Sequence, residues 1–283
     1  MTGVDNVAAL ITSERLPPDY RAIVEMYWRP LAAKISDWRK DKGRPLVVGV
    51  NGAQGSGKST ACVFLEKALL PELGLNAATL LLDDFYLSKA DRQDLAERVH
   101  PLFITRGVPG THDAAWLARA IDDLIAGRDT EAPVFDKARD DRASHTRTIE
   151  APVDVILLEG WCVGAVAQPD ELLKAPANAL ERDEDSGCAW RRYVNEQLGG
   201  DYRDLFSRID RLVMLRVSGM EAVLQNRLRQ ERKLRAARPD AKEVMGDAAV
   251  ARFVQHYERL TRWQLETLPQ RADIVIDVDG LMR

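Results

Sequence analysis

Short apolar runs recur along the chain at residues 46–50, 78–82, 153–158, 212–217 and 274–278. Each is continuous rather than alternating, the pattern of strands buried on both faces. Between them, apolar residues repeat at helical spacing over 60–70, 113–126, 190–198, 220–236 and 247–268. Strands alternating with helices predict a three-layer α/β fold around a mainly parallel sheet. Ahead of the first strand, Ile23, Met26, Tyr27, Leu31, Ile35 and Trp38 share helical spacing, with Pro30 inside the run. This predicts an N-terminal helical arm over 1–44, kinked or split at Pro30, before a domain over 45–283. The stretch QPDELLKAPANALERDEDSGCA at 168–189 is rich in Pro, Ala and acids and reads as an irregular excursion. No internal repeat is visible.

Composition narrows the function classes. With 283 residues, 46% hydrophobic and 30% charged, the chain is long enough for one large α/β domain or two small ones. A net charge of −4 argues against a general binder of nucleic acid or anionic membrane, although a local basic patch is allowed. No apolar run reaches the roughly 18 residues of a transmembrane helix. The opening residues lack the basic and apolar segments of a secretory signal. Cys62, Cys162 and Cys188 are widely spaced and form no metal pattern, so a reduced, cytoplasmic chain is the simple reading. Oligomeric state stays open between a monomer and a small homo-oligomer.

The strand at 46–50 runs into Gly52-Ala53-Gln54-Gly55-Ser56-Gly57-Lys58-Ser59-Thr60, a full G-x-x-x-x-G-K-[ST] P-loop followed by a helical pattern. Glycines let such a backbone curl so that its N–H groups face phosphate oxygens, and the helix adds its N-terminal partial charge. Lys58 is expected to bridge the β- and γ-phosphates and the Ser59 hydroxyl to ligate Mg²⁺. A nucleoside triphosphate is therefore the expected ligand. No N-K-x-D guanine signature follows, and the length and charge do not suggest a motor or helicase. A small-molecule kinase remains, which needs an acceptor site, a base and a lid that excludes water.

Several segments offer those parts. The second strand ends in Leu82-Asp83-Asp84-Phe85-Tyr86, at the end of the sheet where such folds bind ligands. Either carboxylate there suits proton acceptance or a hydrated Mg²⁺, and either equally suits a cap. The run VDVILLEGW ends in Glu159, expected near the metal's water shell. The loop HPLFITRGVPGTHD at 100–113 mixes rigid turn residues with Arg106 and His112, and Thr111 or Asp113 suits the cap of the next helix. The segment PVFDKARDDR at 133–142 reads as a loop, either solvated or acceptor-binding. Residues 221–240 carry Arg227, Arg229, Arg232, Lys233, Arg235 and Arg238, the pattern of a solvated basic face or of a lid whose arginines meet a phosphoryl group.

The ordered set GxxGSGKST, LDDFY, RGVPGTHD, PVFDKARDDR and LLEGW resembles the P-loop kinases that include uridine kinase, phosphoribulokinase and pantothenate kinase, and within them the D-glycerate 3-kinase family. The likeness spans roughly residues 45–283. It implies ATP, Mg²⁺ and phosphoryl transfer to a hydroxyl of a small metabolite. It also implies Asp83 as the group that orients that hydroxyl and takes its proton, with Ser59, Asp83 and Glu159 toward the metal and Arg227 in the lid. Tyr86, Arg106, His112, Asp136, Lys137 and Arg142 fall in the acceptor segments. Phe135 stands where the group often has Tyr, and Val223-Leu224-Gln225-Asn226 lacks the Trp often found just ahead of Arg227. A small acid such as glycerate needs a cation in its pocket, and Arg106, Lys137 and Arg142 are the supply. A nucleoside or pantothenate-like acceptor, or a nucleotide-binding regulator without catalysis, are the competing readings.

Overall fold

A computed structural model describes residues 5–237 and 245–279, without the side chains of 233–237. Five strands form one parallel sheet: β1 (Leu46–Gly52), β2 (Ala77–Leu81), β5 (Val155–Gly160), β6 (Arg211–Arg216) and β7 (Ile274–Asp277), in the order β2-β5-β1-β6-β7. These are the five apolar runs. β1 and β5 are buried at every position, as strands covered on both faces must be. The carboxyl ends of β1, β5 and β2 lie side by side. Val50 pairs with Glu159, and Glu159 in turn with Leu81. The register therefore sets Glu159 between the P-loop and the residues that follow β2.

Two buried clusters sandwich the sheet. One joins Val48, Val50 and Leu157 to the P-loop helix (Lys58–Phe64) and to Val7, Tyr20, Trp28 and Ile35 of the N-terminal segment. The other holds Val47, Leu80, Leu158, Leu117 and Tyr202. Among the described residues, no helix is long and apolar enough to cross a membrane.

Four expectations need correction. Pro30 does not split the arm into separate helices, because helical backbone runs on from Tyr20 to Lys40. Tyr20–Ile23 and Arg29–Lys40 are joined by a π-turn over Val24–Trp28, and the Arg29 N–H donates to Val24 O. The wider turn immediately precedes the residue that lacks an N–H, where the ring would clash with a regular helix. Residues 133–142 are not a loop: β3 (Thr130–Asp136) and β4 (Asp141–Ile149) form a separate antiparallel hairpin. The second strand stops at Leu81, and Leu82–Phe85 turns into a 3₁₀ helix. The excursion at 168–189 contains helices at Asp170–Leu173 and Ala179–Glu184. It is tied down by two ion pairs, Arg191–Asp185 at 2.8 Å and Arg259–Glu181 at 2.6 Å, whose carboxylates are fully buried. Helices at Lys89–Arg98 and Asp201–Phe206 add to those expected, and one at Asn6–Ser13 falls within the expected arm.

Candidate active site

The P-loop closes on itself before any ligand is considered. Gly55 has φ +75° and Gly57 φ +86°, the left-handed region that side chains disfavour. Gly57 is the N-cap residue of the helix that starts at Lys58. A Cβ at Gly55 would lie 2.7 Å from Asn226 Cβ, so the basic helix Met220–Ala237 rests directly on the loop. The Gln54 Oε1 and Ser56 Oγ atoms are buried with no hydrogen-bond partner among the described residues. The Ser56 hydroxyl can donate, so in a glycine-rich loop at a helix N-terminus it fits an anion; the Gln54 amide oxygen can only accept and does not.

Glu159 joins the two P-loop side chains. The Ser59 hydroxyl donates to Glu159 Oε2 at 2.9 Å, and Lys58 Nζ lies 3.4 Å from Oε1. Burial pulls the Lys58 ammonium down, but Glu159 and Asp83 outweigh it and hold Lys58 above its ordinary value. Among the described residues, no three His, Cys, Asp or Glu side chains gather around one point as a metal cage.

Beyond Glu159 lies Asp83. The Tyr86 hydroxyl donates to Asp83 Oδ1 at 2.8 Å, and Lys137 Nζ lies 3.2 Å from Oδ2. Burial pushes the Asp83 carboxyl up, yet Lys137, Lys58 and the Tyr86 hydroxyl hold it below the usual carboxylate range. The neighbouring Asp84 goes the other way. Burial raises it, and it accepts the backbone N–H of Phe135, which ties the hairpin down. Two adjacent carboxyl groups are thus driven apart, and Asp83 stays ionised beside the P-loop lysine.

The loop carrying Arg106 and His112 is fixed through its backbone. Gly107 has φ +126°, and a Cβ there would enter the Tyr257 ring, 2.6 Å from Cε1. The Tyr257 hydroxyl donates to Arg106 O at 2.9 Å, and Trp161 Nε1 donates to Gly107 O at 2.7 Å. Thr111 Oγ1 accepts from Gly107 N at 2.9 Å and donates to Val108 O at 2.7 Å, so it closes the turn. Asp113 is the cap, accepting the Trp116 N–H at 2.9 Å. Phe103, Val108, Leu180 and Trp190 form a small buried cluster beneath this loop.

The acceptor-side residues meet around Tyr86. His112 stacks on its ring at 4.6 Å, Phe135 meets it edge-on at 5.0 Å, and the Arg106 guanidinium lies 5.9 Å from it and 5.2 Å from the Phe135 ring. Arg106 Nη1 also pairs with Asp140 at the tip of the hairpin. His112 Nδ1 lies 2.6 Å from the Tyr202 hydroxyl, and burial pushes the imidazole down to about 4. Arg142 is committed elsewhere: its Nε donates to Tyr86 O at 2.6 Å and Nη2 lies 3.4 Å from Asp113. Asp136 accepts the N–H groups of Ala138 and Arg139 and so shapes the hairpin turn.

Three known proteins are similar to this chain. The chain is 31% identical over 246 residues to an uncharacterized kinase of Schizosaccharomyces pombe, mug58, covering 83% of this chain and 86% of that one. It is 30% identical over 255 residues to the chloroplastic D-glycerate 3-kinase of Arabidopsis thaliana, and it spans only 53% of that protein. A D-glycerate 3-kinase structure from Cryptococcus neoformans superposes with a TM-score of 0.72 at 27% identity, covering 86% of this chain and 88% of that one. This chain belongs to the D-glycerate 3-kinase family. Its fold is that of the P-loop kinases. No family model matches the chain.

Other parts of this family member were not legible in its sequence. Arg92 is completely buried, donates to Ile104 O and shares Asp140 with Arg106. Its helix, KADRQDLAER, has no apolar stripe, so nothing marks one arginine as internal. Tyr202 and Tyr257 approach from helices about 90 and 150 residues beyond the loop they hold. In the basic helix, Arg227 pairs with the buried Glu231 one turn away and lies 5.3 Å over the Phe253 ring. Arg238 lies outside the described residues, as do the side chains of Lys233 and Arg235.

Proposed function

We propose that this protein is an ATP-dependent kinase that phosphorylates a hydroxyl of a small acidic metabolite, with D-glycerate the favoured acceptor. The observation that carries the reading is Asp83, held ionised between Lys58 of the P-loop and the cluster of Tyr86, His112, Phe135 and Arg106. In this reading Asp83 orients the acceptor hydroxyl and takes its proton. Lys58 and the P-loop backbone bind the phosphates, with Gly52 to Thr60 as the cradle. Ser59, Glu159 and Asp83 face the metal, whose chemistry is to neutralise charge on the transferring phosphoryl group. The basic helix serves as the lid, and Arg227 reaches phosphate by exchanging its Glu231 partner.

Acid recognition falls to Arg106. It spends Nη1 on Asp140, which leaves the Nε and Nη2 edge for a carboxylate. Lys137, on the exposed tip of the hairpin, is the second cation. Arg142 and Asp136 position the hairpin rather than touch the acceptor. The D-glycerate 3-kinase relatives support glycerate. A nucleoside acceptor has less support, because Tyr86 and Phe135 already pack on each other, on His112 and on Arg106. The free thiols of Cys62, Cys162 and Cys188 suit a reducing compartment, and the cytoplasm is part of this proposal.

The test is ADP release with Mg·ATP across D-glycerate, L-glycerate, uridine, pantothenate and ribulose 5-phosphate. D-glycerate is expected to give the clear signal. A signal from uridine or pantothenate alone would overturn the acceptor and keep the kinase. Bound ATP with no turnover on any acceptor would move the protein toward a regulatory role.

A further inference from the structure

The two ring nitrogens of His112 stand in opposite situations. Nδ1 lies 2.6 Å from the Tyr202 hydroxyl, whereas Nε2 is buried with no hydrogen-bond partner among the described residues. The backbone explains how the ring is presented. Tyr86 and His112 form an isolated antiparallel bridge, flanked by Leu87 N–H to Thr111 O and Asp113 N–H to Phe85 O. They are therefore a non-hydrogen-bonded pair, the arrangement that brings side chains closest, and their rings stack. In such a pair the N–H of His112 points away from the Tyr86 segment. Tyr202 is fully buried, and its oxygen receives the Gly110 N–H at 3.1 Å.

A phenol oxygen has two lone pairs and one proton. Among the described residues the buried Tyr202 hydroxyl has two partners, the Gly110 N–H and His112 Nδ1; the first can only donate, so Nδ1 is the acceptor left for the phenol proton. We infer that Tyr202 fixes His112 as a neutral imidazole protonated at Nε2, a preset donor to an oxygen of the acceptor. Tyr202 is thus a positioning residue for recognition, acting only through His112. Nε2 sits at the end of the ring remote from Tyr202, and Asp83 is the charge that acts on the ring. Buried donors are nearly always paired, by protein, water or ligand. A hydroxyl or carboxylate oxygen beside Asp83 is the complementary partner. The word acceptor here rests on the kinase reading; the tautomer does not.

The first test needs no acceptor. Nitrogen-15 spectra of the histidine-labelled protein at pH 7, with the His112 signals identified by their loss in His112→Gln, are expected to show the proton on Nε2 and none on Nδ1. A proton on Nδ1, or an imidazolium, overturns the inference. The second test is kinetic. Tyr202→Phe is expected to raise the acceptor KM about tenfold, as loss of one oriented hydrogen bond would, with kcat and the ATP KM within about twofold. In the His112→Gln background the same change is expected to do nothing further. An undiminished effect there would make Tyr202 merely structural. If no acceptor turns over but Nε2 carries the proton, the kinase reading fails and the tautomer stands.

Discussion

Glu159 Oε2 accepts the Ser59 hydroxyl at 2.9 Å while Oε1 lies 3.4 Å from Lys58 Nζ. One buried carboxylate thus holds the two P-loop side chains proposed to meet phosphate and metal. Glu159→Gln removes the charge and keeps the shape. The expected result is a raised Mg²⁺ requirement and turnover lower by roughly 10–100-fold, read from a Mg²⁺ titration of ADP release. An unchanged titration curve would take Glu159 out of the metal's surroundings.

Asp83→Asn removes the ionised carboxylate beside Lys58 without changing its volume. ATP affinity is expected to hold, while kcat falls by roughly 10²–10⁴-fold. Calorimetric ATP binding and single-turnover kinetics read the two separately. Near-normal turnover would transfer the base role to Asp84 or Glu159.

Lys58→Ala leaves Glu159 buried without its cation and, in the proposed reading, strips the phosphates of theirs. Nucleotide binding is expected to weaken by at least about tenfold and turnover to be lost with it. Retention of both would remove the nucleotide from the P-loop altogether.

Gly107→Ala meets two obstacles, a φ of +126° and the Tyr257 ring. The variant is expected to lose roughly 2–4 kcal/mol of stability. Because the same turn carries Arg106 and His112, acceptor KM is expected to rise more than ATP KM. Equal changes in both would show that the loop does not serve the acceptor side.

His112 has a folded pKa of about 4, below its ordinary 6.5. As pH falls, the unfolded chain takes up this proton first. The neutral ring therefore contributes stability above pH 6.5 that is lost as pH falls toward 4, by up to ~3 kcal/mol. Wild type is expected to lose melting temperature faster than His112→Gln across that window. Parallel curves would place His112 in a far more solvated setting. His256, whose burial also lowers its pKa, contributes equally to both proteins and cancels in the comparison.

Legibility followed the range of the interaction. The cap at Asp113 was readable because a cap and its N–H lie three residues apart. The hairpin at 130–149 was not. β4 is mostly exposed and polar, and Pro133 interrupts β3, so neither strand shows a clean alternation. The fully buried Arg92 carried no local signal for the same reason, since its partner Asp140 is 48 residues away.

By itself the sequence determined the parallel sheet and the phosphate loop, because both are written in contiguous residues: buried apolar runs, and glycines at fixed spacing before Lys58 and Ser59. Only the tertiary structure decided which charges meet. Strand register put Glu159 against Lys58 and Ser59, and the turn after β2 brought Asp83 to Lys58 and left Asp84 on the hairpin. The cations that seemed interchangeable in the sequence were likewise sorted by packing, Arg142 onto Tyr86 O and Asp113, Arg106 over Phe135 and Tyr86. The physical reason is that a charge has no sequence range: its role is set by whatever the fold buries beside it.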